Sequence, residues 1–339
     1  MKKALLFFVI VILLVGCTSS PSTPPTIASP GSTDTIASPT STNTVASPRI
    51  THIVAFGDEF SDNGNAYKNW NEAAEKGQVP PGLMKIWQQN KPALWEGRWS
   101  NGPVAVEVLA DRLKVGLTNY AVTGAMSGYG DYLSEMSDLD LFKNSGLLGQ
   151  IDKYKAELAG KNADAGTLYF IEIGMVDIST KLENKAVNSD SEAEYIAHQV
   201  VGNLTTAIKR LANLGAKQFM VGNSLDFSSL PAFVSMDPEG KSKVFQTRMN
   251  SILPTVMDKL AQEMNIKINI FDYAAIEERI RSNPDQYGLT QLSTPCTGLA
   301  PDFDGICEKP DEYYYYGYYF LTRRVHQIMG EAMAEQLSK

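Results

Sequence analysis

Along residues 50–339, short apolar runs alternate with longer stretches in which apolar residues recur every three or four positions. The short runs predict strands at 51–56, 116–119, 168–173, 218–222 and 267–271. The longer stretches predict helices, among them 104–113, 146–158, 192–214 and 244–264. Because the strands have no polar face, we expect a parallel sheet with helices on both sides. The pattern therefore predicts an α/β fold of three layers, α/β/α, with a site at the carboxyl ends of the strands.

The N-terminus follows a different pattern. Lys2 and Lys3 precede an apolar run over 4–15, which is followed by Gly16 and Cys17. This order predicts a secretory signal peptide over 1–16, too short to be a stable membrane span. The sequence Leu-Val-Gly-Cys that ends at Cys17 resembles the bacterial lipobox, which implies that Cys17 is lipidated and becomes the mature N-terminus. The alternative is a plain secreted protein with a chance cysteine.

Residues 17–49 are rich in Ser, Thr and Pro and contain few apolar side chains. A five-residue sequence, Thr-Ile/Val-Ala-Ser-Pro, recurs every nine residues from Thr26, Thr35 and Thr44. Such a segment cannot offset its ordering entropy by burying apolar surface. We therefore expect an extended stalk, reaching roughly 100 Å as polyproline II at about 3.1 Å per residue. The folded domain is predicted to cover 50–339.

Composition narrows the classes of function. The chain is 43% hydrophobic and carries a net charge of −8, so it can build a core but offers no basic surface to a nucleic acid. We therefore expect no nucleic-acid partner. The three cysteines divide into one and two, because lipidation of Cys17 leaves Cys296 and Cys307 as a disulfide pair in an oxidising compartment.

A series of blocks, in the same order, resembles the GDSL or SGNH family of esterases and lipases. The first, at 55–65, reads Ala-Phe-Gly-Asp-Glu-Phe-Ser-Asp-Asn-Gly-Asn, where the family usually has Phe-Gly-Asp-Ser-Leu-Ser-Asp-x-Gly-Asn. The other blocks lie at 97–104, 119–125, 173–177, 213–217 and 296–313. The resemblance extends from about residue 50 to the C-terminus and is strongest to bacterial secreted and outer-membrane phospholipases. It implies the flavodoxin-like fold of SGNH hydrolases.

The family's chemistry depends on four elements. A serine after the first strand attacks the ester carbonyl, and a C-terminal Asp-x-x-His pair activates it. The serine N–H, a glycine N–H and an asparagine amide form the oxyanion hole. The resemblance places Glu59 at the serine, Val176 at the asparagine, Gly317 at the aspartate and Phe320 at the histidine. Only Gly124, the oxyanion glycine, is retained, which implies that no catalytic residue remains.

A relocated catalytic centre is the competing hypothesis. Ser61 lies two residues beyond the nucleophile position, where we expect the chain to be entering a helix, so a capping or structural hydroxyl is favoured over a nucleophile. The possible bases are His52 at the amino end of the first strand, His198 within a helix and His326 in the final helix. His326 is the nearest of these, yet it lies one turn or more too far along the chain.

Glu59 itself has two interpretations. A carboxylate at a helix N-terminus in a cleft can bind a cation, an amine or a sugar hydroxyl. The favoured interpretation is a carboxylate that caps the helix after the first strand. Asp58 and Asp62 are the only nearby carboxylates, and no His or Cys cluster accompanies them. We therefore predict no metal site and no cofactor.

Six tyrosines and Phe320 fall within 313–320, the stretch in which active relatives carry Asp and His. These rings predict either core packing of alternate side chains, which is favoured, or a platform that contacts a carbohydrate or a lipid.

The resulting hypothesis is a lipoprotein of the bacterial cell envelope, anchored to a membrane at Cys17 and facing outside the cytoplasm. Its esterase-like domain is predicted to be a non-catalytic binding or structural module, with an acyl ester or a glycan as the ligand. An active carboxylic-ester hydrolase with a non-standard catalytic arrangement is the alternative. A third hypothesis is an envelope protein that contacts glycan through the stalked domain.

Overall fold

The computed structural model describes residues 49–132, 134, 142–298 and 305–339. The predicted signal peptide, Cys17 and the predicted stalk up to residue 48 lie outside the described residues. Within the described ranges, no helix combines the length and the apolar character needed to cross a membrane.

Five parallel strands form one sheet in the order β2-β1-β3-β4-β5. Their bounds are β1 (His52–Gly57), β2 (Gly116–Asn119), β3 (Thr167–Glu172), β4 (Gln218–Gly222) and β5 (Lys267–Phe271). In the register of the sheet, Ile53 of β1 lies between Leu117 of β2 and Leu168 of β3. All five predicted strands are confirmed, with ends that differ by at most one residue. The strand order is the flavodoxin-like one, as predicted.

Ten α-helices accompany the strands in the described part of the chain. They are α1 (Asn65–Glu75), α2 (Pro81–Asn90), α3 (Ala105–Leu113), α4 (Leu147–Glu157), α5 (Met175–Glu183), α6 (Asp190–Asn213), α7 (Pro231–Met236), α8 (Lys241–Met264), α9 (Tyr273–Ser282) and α10 (Arg323–Leu337). The predicted helices correspond to α3, α4, α6 and α8, with ends within three residues of the predicted ones.

The helices form two layers around the sheet. α3 packs against α10, whereas α6 packs against both α4 and α8. Right-handed crossovers place α3 on one face of the sheet and α4, α6 and α8 on the other. The apolar side chains of the central strands are fully buried between these layers, as Ile53, Phe170 and Val221 show. Each such side chain stabilises the fold by about 1.5–3 kcal/mol.

His326 joins the last helix to the first layer. Its Nδ1 accepts a hydrogen bond from the backbone N–H of Ala105 at 3.3 Å, where α3 begins. Gly330, one turn later, lets the helices approach closely, since a Cβ there would lie 2.5 Å from the Ala105 carbonyl oxygen. Burial lowers the pKa of His326 to about 3. His326 is therefore a neutral, packed helix residue, as expected.

The C-terminal loops are linked to one another. A disulfide joins Cys296 and Cys307, with their Cα atoms 5.1 Å apart. The backbone N–H groups of Cys296 and Thr297 donate to the carbonyl oxygens of Tyr315 and Tyr316 at 3.0 and 2.8 Å. These two hydrogen bonds thus connect the disulfide-linked segment to the tyrosine-rich segment.

Candidate functional site

The turn after β1 places Glu59 at the carboxyl edge of the sheet. The N–H groups of Ser61 and Asp62 donate to the Asp58 carbonyl oxygen at 3.1 and 2.9 Å, which closes the turn. Helix α1 begins only at Asn65, so the expectation that Ser61 enters a helix is wrong. The intervening Asn63-Gly64 pair delays the helix, because Gly64 takes a left-handed φ of 117°.

Asp62, and not Glu59, caps helix α1. The carboxylate of Asp62 accepts hydrogen bonds from the N–H groups of Asn65 at 2.7 Å and Ala66 at 3.1 Å. It also accepts bonds from the N–H and hydroxyl of Thr123 at 2.9 and 2.8 Å. The interpretation of Glu59 as a helix cap is therefore wrong. Asp62 instead fixes the loop after β2 beside the turn after β1.

That connection brings Gly124 against Glu59. The backbone N–H of Gly124 donates to Oε2 of Glu59 at 3.3 Å. Gly124 has a φ of 90°, a conformation that a side chain would strain, and a Cβ there would also approach the Asp131 carboxylate. The Glu59 carboxyl, 7% exposed, thus occupies the N–H group that the sequence resemblance assigns to the oxyanion hole.

A cavity of about 320 Å³ lies over this pair. Four of the five residues predicted at the site contribute to its wall: Glu59, Gly124, Val176 and Phe320. The rest of the wall consists of Ile86, Asn90, Thr123, Tyr132, Met175, Ser179, Glu183 and Tyr319. The structure thus brings together residues that follow β1, β2 and β3, together with the C-terminal turn.

Gly317, the fifth predicted residue, does not contribute to the wall but lies next to Phe320. A Cβ at Gly317 would lie 3.0 Å from Cδ2 of Phe320, so the absence of a side chain makes room for the phenyl ring. The N–H of Gly317 donates to the Phe320 carbonyl oxygen at 3.3 Å. The Phe320 ring stacks on Trp99 with centroids 4.9 Å apart. Phe320 is therefore held as part of an apolar wall.

The tyrosine-rich segment has a buried part and a part that lines the cavity. Tyr314, Tyr315 and Tyr316 are buried in the core. Tyr319 and Phe320 instead face the cavity, and Tyr318 is 37% exposed. The prediction of core packing is therefore confirmed for residues 314–316, but its alternating pattern is wrong, because three consecutive rings are buried. Contact of the other rings with a ligand stays a prediction.

Buried carboxyl groups surround Glu59. Burial raises the pKa of Glu59 well above its usual value, and the neighbouring Asp58 and Asp131 raise it further. Asp58 shows the same direction of shift through burial and the adjacent Glu172. Burial also raises the pKa of Glu172 to about 8. Burial thus favours the protonated form of each of these three carboxyl groups.

Ser61 is hydrogen-bonded to one of these buried carboxyl groups. Its hydroxyl donates to Oε2 of Glu172 at 3.2 Å, and the side chain is only 1% exposed. Ser61 is not among the residues of the cavity wall. The interpretation of this hydroxyl as a structural group stays a prediction.

The histidines do not approach the cavity. His52 at the amino end of β1 is hydrogen-bonded to the Thr118 hydroxyl at 2.8 Å. His198 is an exposed residue of α6 that accepts a bond from Arg248. His326 bonds to Ala105, as described above. Among the described residues, no group of three or more His, Cys, Asp or Glu side chains is arranged to hold a metal ion.

Sequence reasoning missed two acidic residues of the site. Glu172 is the last residue of β3, and Glu183 ends α5 and contributes to the cavity wall. The position of Glu172 directly after an apolar run was the available signal, since strand ends face the site in such sheets. Glu183 carries no comparable signal.

A larger cavity of about 870 Å³ lies after β4 and β5. Its wall combines acidic side chains with Lys243 and Arg281 and includes none of the predicted site residues. Lys243 pairs with Asp226 at 2.7 Å and Arg281 with Glu277 at 2.9 Å, so these charges are already compensated.

The sequence model of the GDSL-like lipase/acylhydrolase family matches residues 53–332, and the chain belongs to this family. Thermolabile hemolysin of Vibrio parahaemolyticus is 29% identical over 253 residues, which are 73% of this chain and 51% of that protein. GDSL esterase/lipase 2 of Arabidopsis thaliana is 25% identical over 198 residues, 52% of each chain. The chain thus spans about half the length of these two relatives.

Solved structures of similar proteins are more distant in sequence. A lipolytic protein of the G-D-S-L family from Veillonella parvula is 16% identical, with a TM-score of 0.43. The comparison covers 85% of this chain and 99% of that one. Phospholipase A1 from Streptomyces albidoflavus NA297 is 14% identical, with a TM-score of 0.41, and the comparison covers 86% and 100% of the two chains.

Proposed function

We propose that this GDSL-family domain is a non-catalytic module that binds a small ligand in the cavity beside Glu59. The observation that carries the proposal is the hydrogen bond from the Gly124 N–H to the Glu59 carboxyl at 3.3 Å. An ester carbonyl needs that N–H to hold the negative charge of its tetrahedral intermediate. In this protein the Glu59 carboxyl already accepts a hydrogen bond from that N–H. Glu59 also has no hydroxyl group that could attack an ester.

The other walls of the cavity support the same conclusion. Val176 and Phe320 present apolar atoms where the family has an amide donor and a base. Among the residues that the structure describes, the only nitrogen-containing side chain in the wall is the amide of Asn90. General-base and oxyanion groups act together, so their joint loss removes several orders of magnitude in rate.

The alternative is an active ester hydrolase that uses Ser61 with Glu172 as its base. The hydrogen bond between these two side chains is the observation that favours it. The burial of Ser61 argues against it, because an ester carbonyl must come within about 3.5 Å of the nucleophile.

A fluorophosphonate probe separates the two functions, because it phosphonylates only an activated serine. We expect the intact mass of the full-length chain to remain unchanged after incubation. A stoichiometric adduct that maps to Ser61 and disappears in Ser61→Ala would establish the alternative. Chymotrypsin, incubated in parallel, is the positive control for the probe.

A second proposal concerns the location of the protein. We propose that the domain is attached to a membrane of the bacterial cell envelope through lipidated Cys17, because the sequence before this residue resembles a lipobox. Several acyl chains on one residue anchor a protein far more firmly than one. We expect Cys17→Ser to move the protein from the membrane fraction to the soluble fraction. Unchanged fractionation, together with a wild-type mass that includes no acyl chains, would contradict the anchor.

A further inference from the structure

The cavity beside Glu59 contains carboxyl groups and aromatic rings but no cation. Its acidic side chains are Glu59 and Glu183, and its rings are those of Tyr132, Tyr319 and Phe320. No lysine, arginine or histidine from the described parts of the chain contributes to its wall. The volume of about 320 Å³ is at the lower end of the range of small-molecule sites.

The charged groups that act on the Glu59 carboxyl are themselves acidic. The groups that act on its carboxyl come from different elements: Asp58 in the turn after β1, Asp131 in the loop before α4, and Glu172 at the end of β3. Tyr319 from the C-terminal turn is the remaining titratable group near it. Glu59 is 7% exposed, and none of these described groups around its carboxyl is basic.

Glu183 forms the second acidic position of the cavity. The Tyr319 hydroxyl donates to its Oε1 at 3.0 Å, and the Tyr132 hydroxyl is also hydrogen-bonded to it. These bonds hold the carboxylate and orient two rings at the same wall. Faces of aromatic rings attract a cation through their quadrupole, and a carboxylate beside them adds an ionic contact.

We propose that this cavity binds an organic ammonium ion, either a quaternary ammonium group or a protonated amine. The Tyr132, Tyr319 and Phe320 rings would contact its alkyl substituents, and Glu59 and Glu183 would balance its charge. This inference rests on the proposed function as a ligand-binding module and names the chemical class of the ligand. A neutral acyl chain would use the rings but would supply no positive charge to either carboxyl group.

Binding should also release a proton. In the empty cavity, burial and the neighbouring acids favour the protonated form of Glu59, because they raise its pKa well above the usual value. A bound cation favours the ionised carboxylate and replaces the proton. The affinity for the cation is therefore expected to rise with pH, and the Tyr132 and Tyr319 hydroxyls remain neutral because burial raises their pKa.

The test uses two probes of nearly the same shape, choline and 3,3-dimethylbutan-1-ol, in which a carbon atom replaces the charged nitrogen. Calorimetric titration of the full-length chain in a non-ionic detergent should show choline binding at least about tenfold more tightly than the alcohol. Glu183→Gln should weaken choline binding about tenfold and leave binding of the alcohol unchanged. Glu278→Gln is the matched control, because it makes the same chemical change at an exposed residue of the larger cavity, and should alter neither affinity.

Equal or tighter binding of the alcohol would overturn the inference and identify an apolar site. The inference would also be overturned if Glu183→Gln and Glu278→Gln both lost choline binding, or if both kept it. A melting curve for each variant separates lost binding from lost folding. A soluble short-chain phosphatidylcholine is titrated in parallel. If the natural ligand is a lipid headgroup, this lipid should bind more tightly than choline. If the natural ligand is a free ammonium compound, it should not. Ester turnover by the same sample is measured separately and bears on the proposed function alone.

Discussion

Ester turnover is expected to rise by about three orders of magnitude when four substitutions are combined: Glu59→Ser, Val176→Asn, Gly317→Asp and Phe320→His. Together they supply the nucleophile, the oxyanion amide and the Asp-x-x-His pair that the family uses. The Gly124 N–H would become available to an oxyanion, because Ser is too short to occupy it as Glu59 does at 3.3 Å. Hydrolysis of p-nitrophenyl butyrate by the purified variant is the measurement.

The structure explains why the substitutions at Gly317 and Phe320 must be made together. A Cβ at Gly317 would lie 3.0 Å from Cδ2 of Phe320, so an aspartate beside the phenyl ring would be crowded. An imidazole ring is smaller than a phenyl ring and relieves this contact. It can still stack on Trp99, as Phe320 does with a centroid distance of 4.9 Å.

Two controls make the result informative. Glu59→Ser alone should remain near background, since an unactivated hydroxyl lacks its base. The triple variant that keeps Glu59 should also remain near background, because it has a base but no nucleophile. A quadruple variant that folds like the wild type and turns over ester no faster than the triple variant would contradict the placement of the four positions.

The protein is expected to lose about 2 kcal/mol of its free energy of unfolding between pH 6.5 and pH 8.5. The cause is Glu172, whose pKa burial raises from 4.5 to about 8. The folded state keeps this proton above pH 4.5, whereas the unfolded state releases it. The contribution is therefore complete below pH 4.5 and is lost as the pH rises through about 8. The pKa values of Asp58 and Glu59 are shifted in the same direction.

The range from pH 6.5 to pH 8.5 limits the effect of His326, whose contribution to stability changes with pH in the opposite direction. Burial lowers the pKa of His326 from 6.5 to about 3, so its contribution is present above pH 6.5 and is lost as the pH falls towards 3. Asp177, whose pKa burial raises to about 6, has completed most of its change by pH 6.5. Most of the change from His326 and Asp177 therefore lies below the chosen range.

Urea unfolding at pH 6.5, 7.5 and 8.5 measures this dependence. Glu172→Gln is the matched variant, because an amide oxygen still accepts the Ser61 hydroxyl but does not titrate. It should flatten the pH dependence by about 2 kcal/mol over the range. Equal slopes in the wild type and the variant would contradict the assignment to Glu172.

The strands could be predicted from the sequence because burial on both faces leaves a simple signal. β3 and β4 read as uninterrupted apolar runs, and their positions differ by at most one residue from those predicted. The family blocks then identified residues that are far apart in sequence. Glu59, Gly124, Val176 and Phe320 indeed contribute to one cavity.

The roles of individual polar groups were harder to predict, because they depend on contacts between distant segments. Asp62 caps α1 only because the chain remains in a turn until Asn65, and it also binds Thr123 from another loop. The environment of Glu59 likewise depends on Asp131 and Glu172. No local pattern in the sequence indicates that these carboxyl groups meet.

Ester hydrolysis by the wild-type chain tests the central claim most directly. We expect p-nitrophenyl butyrate and p-nitrophenyl laurate to be hydrolysed by the full-length protein at the rate of the buffer blank, and at the same rate by Glu59→Gln. Turnover well above the blank would contradict the account of a non-catalytic cavity. If that turnover disappeared in Ser61→Ala, it would establish a relocated serine nucleophile, and if it disappeared in Glu59→Gln, it would establish carboxylate chemistry at Glu59.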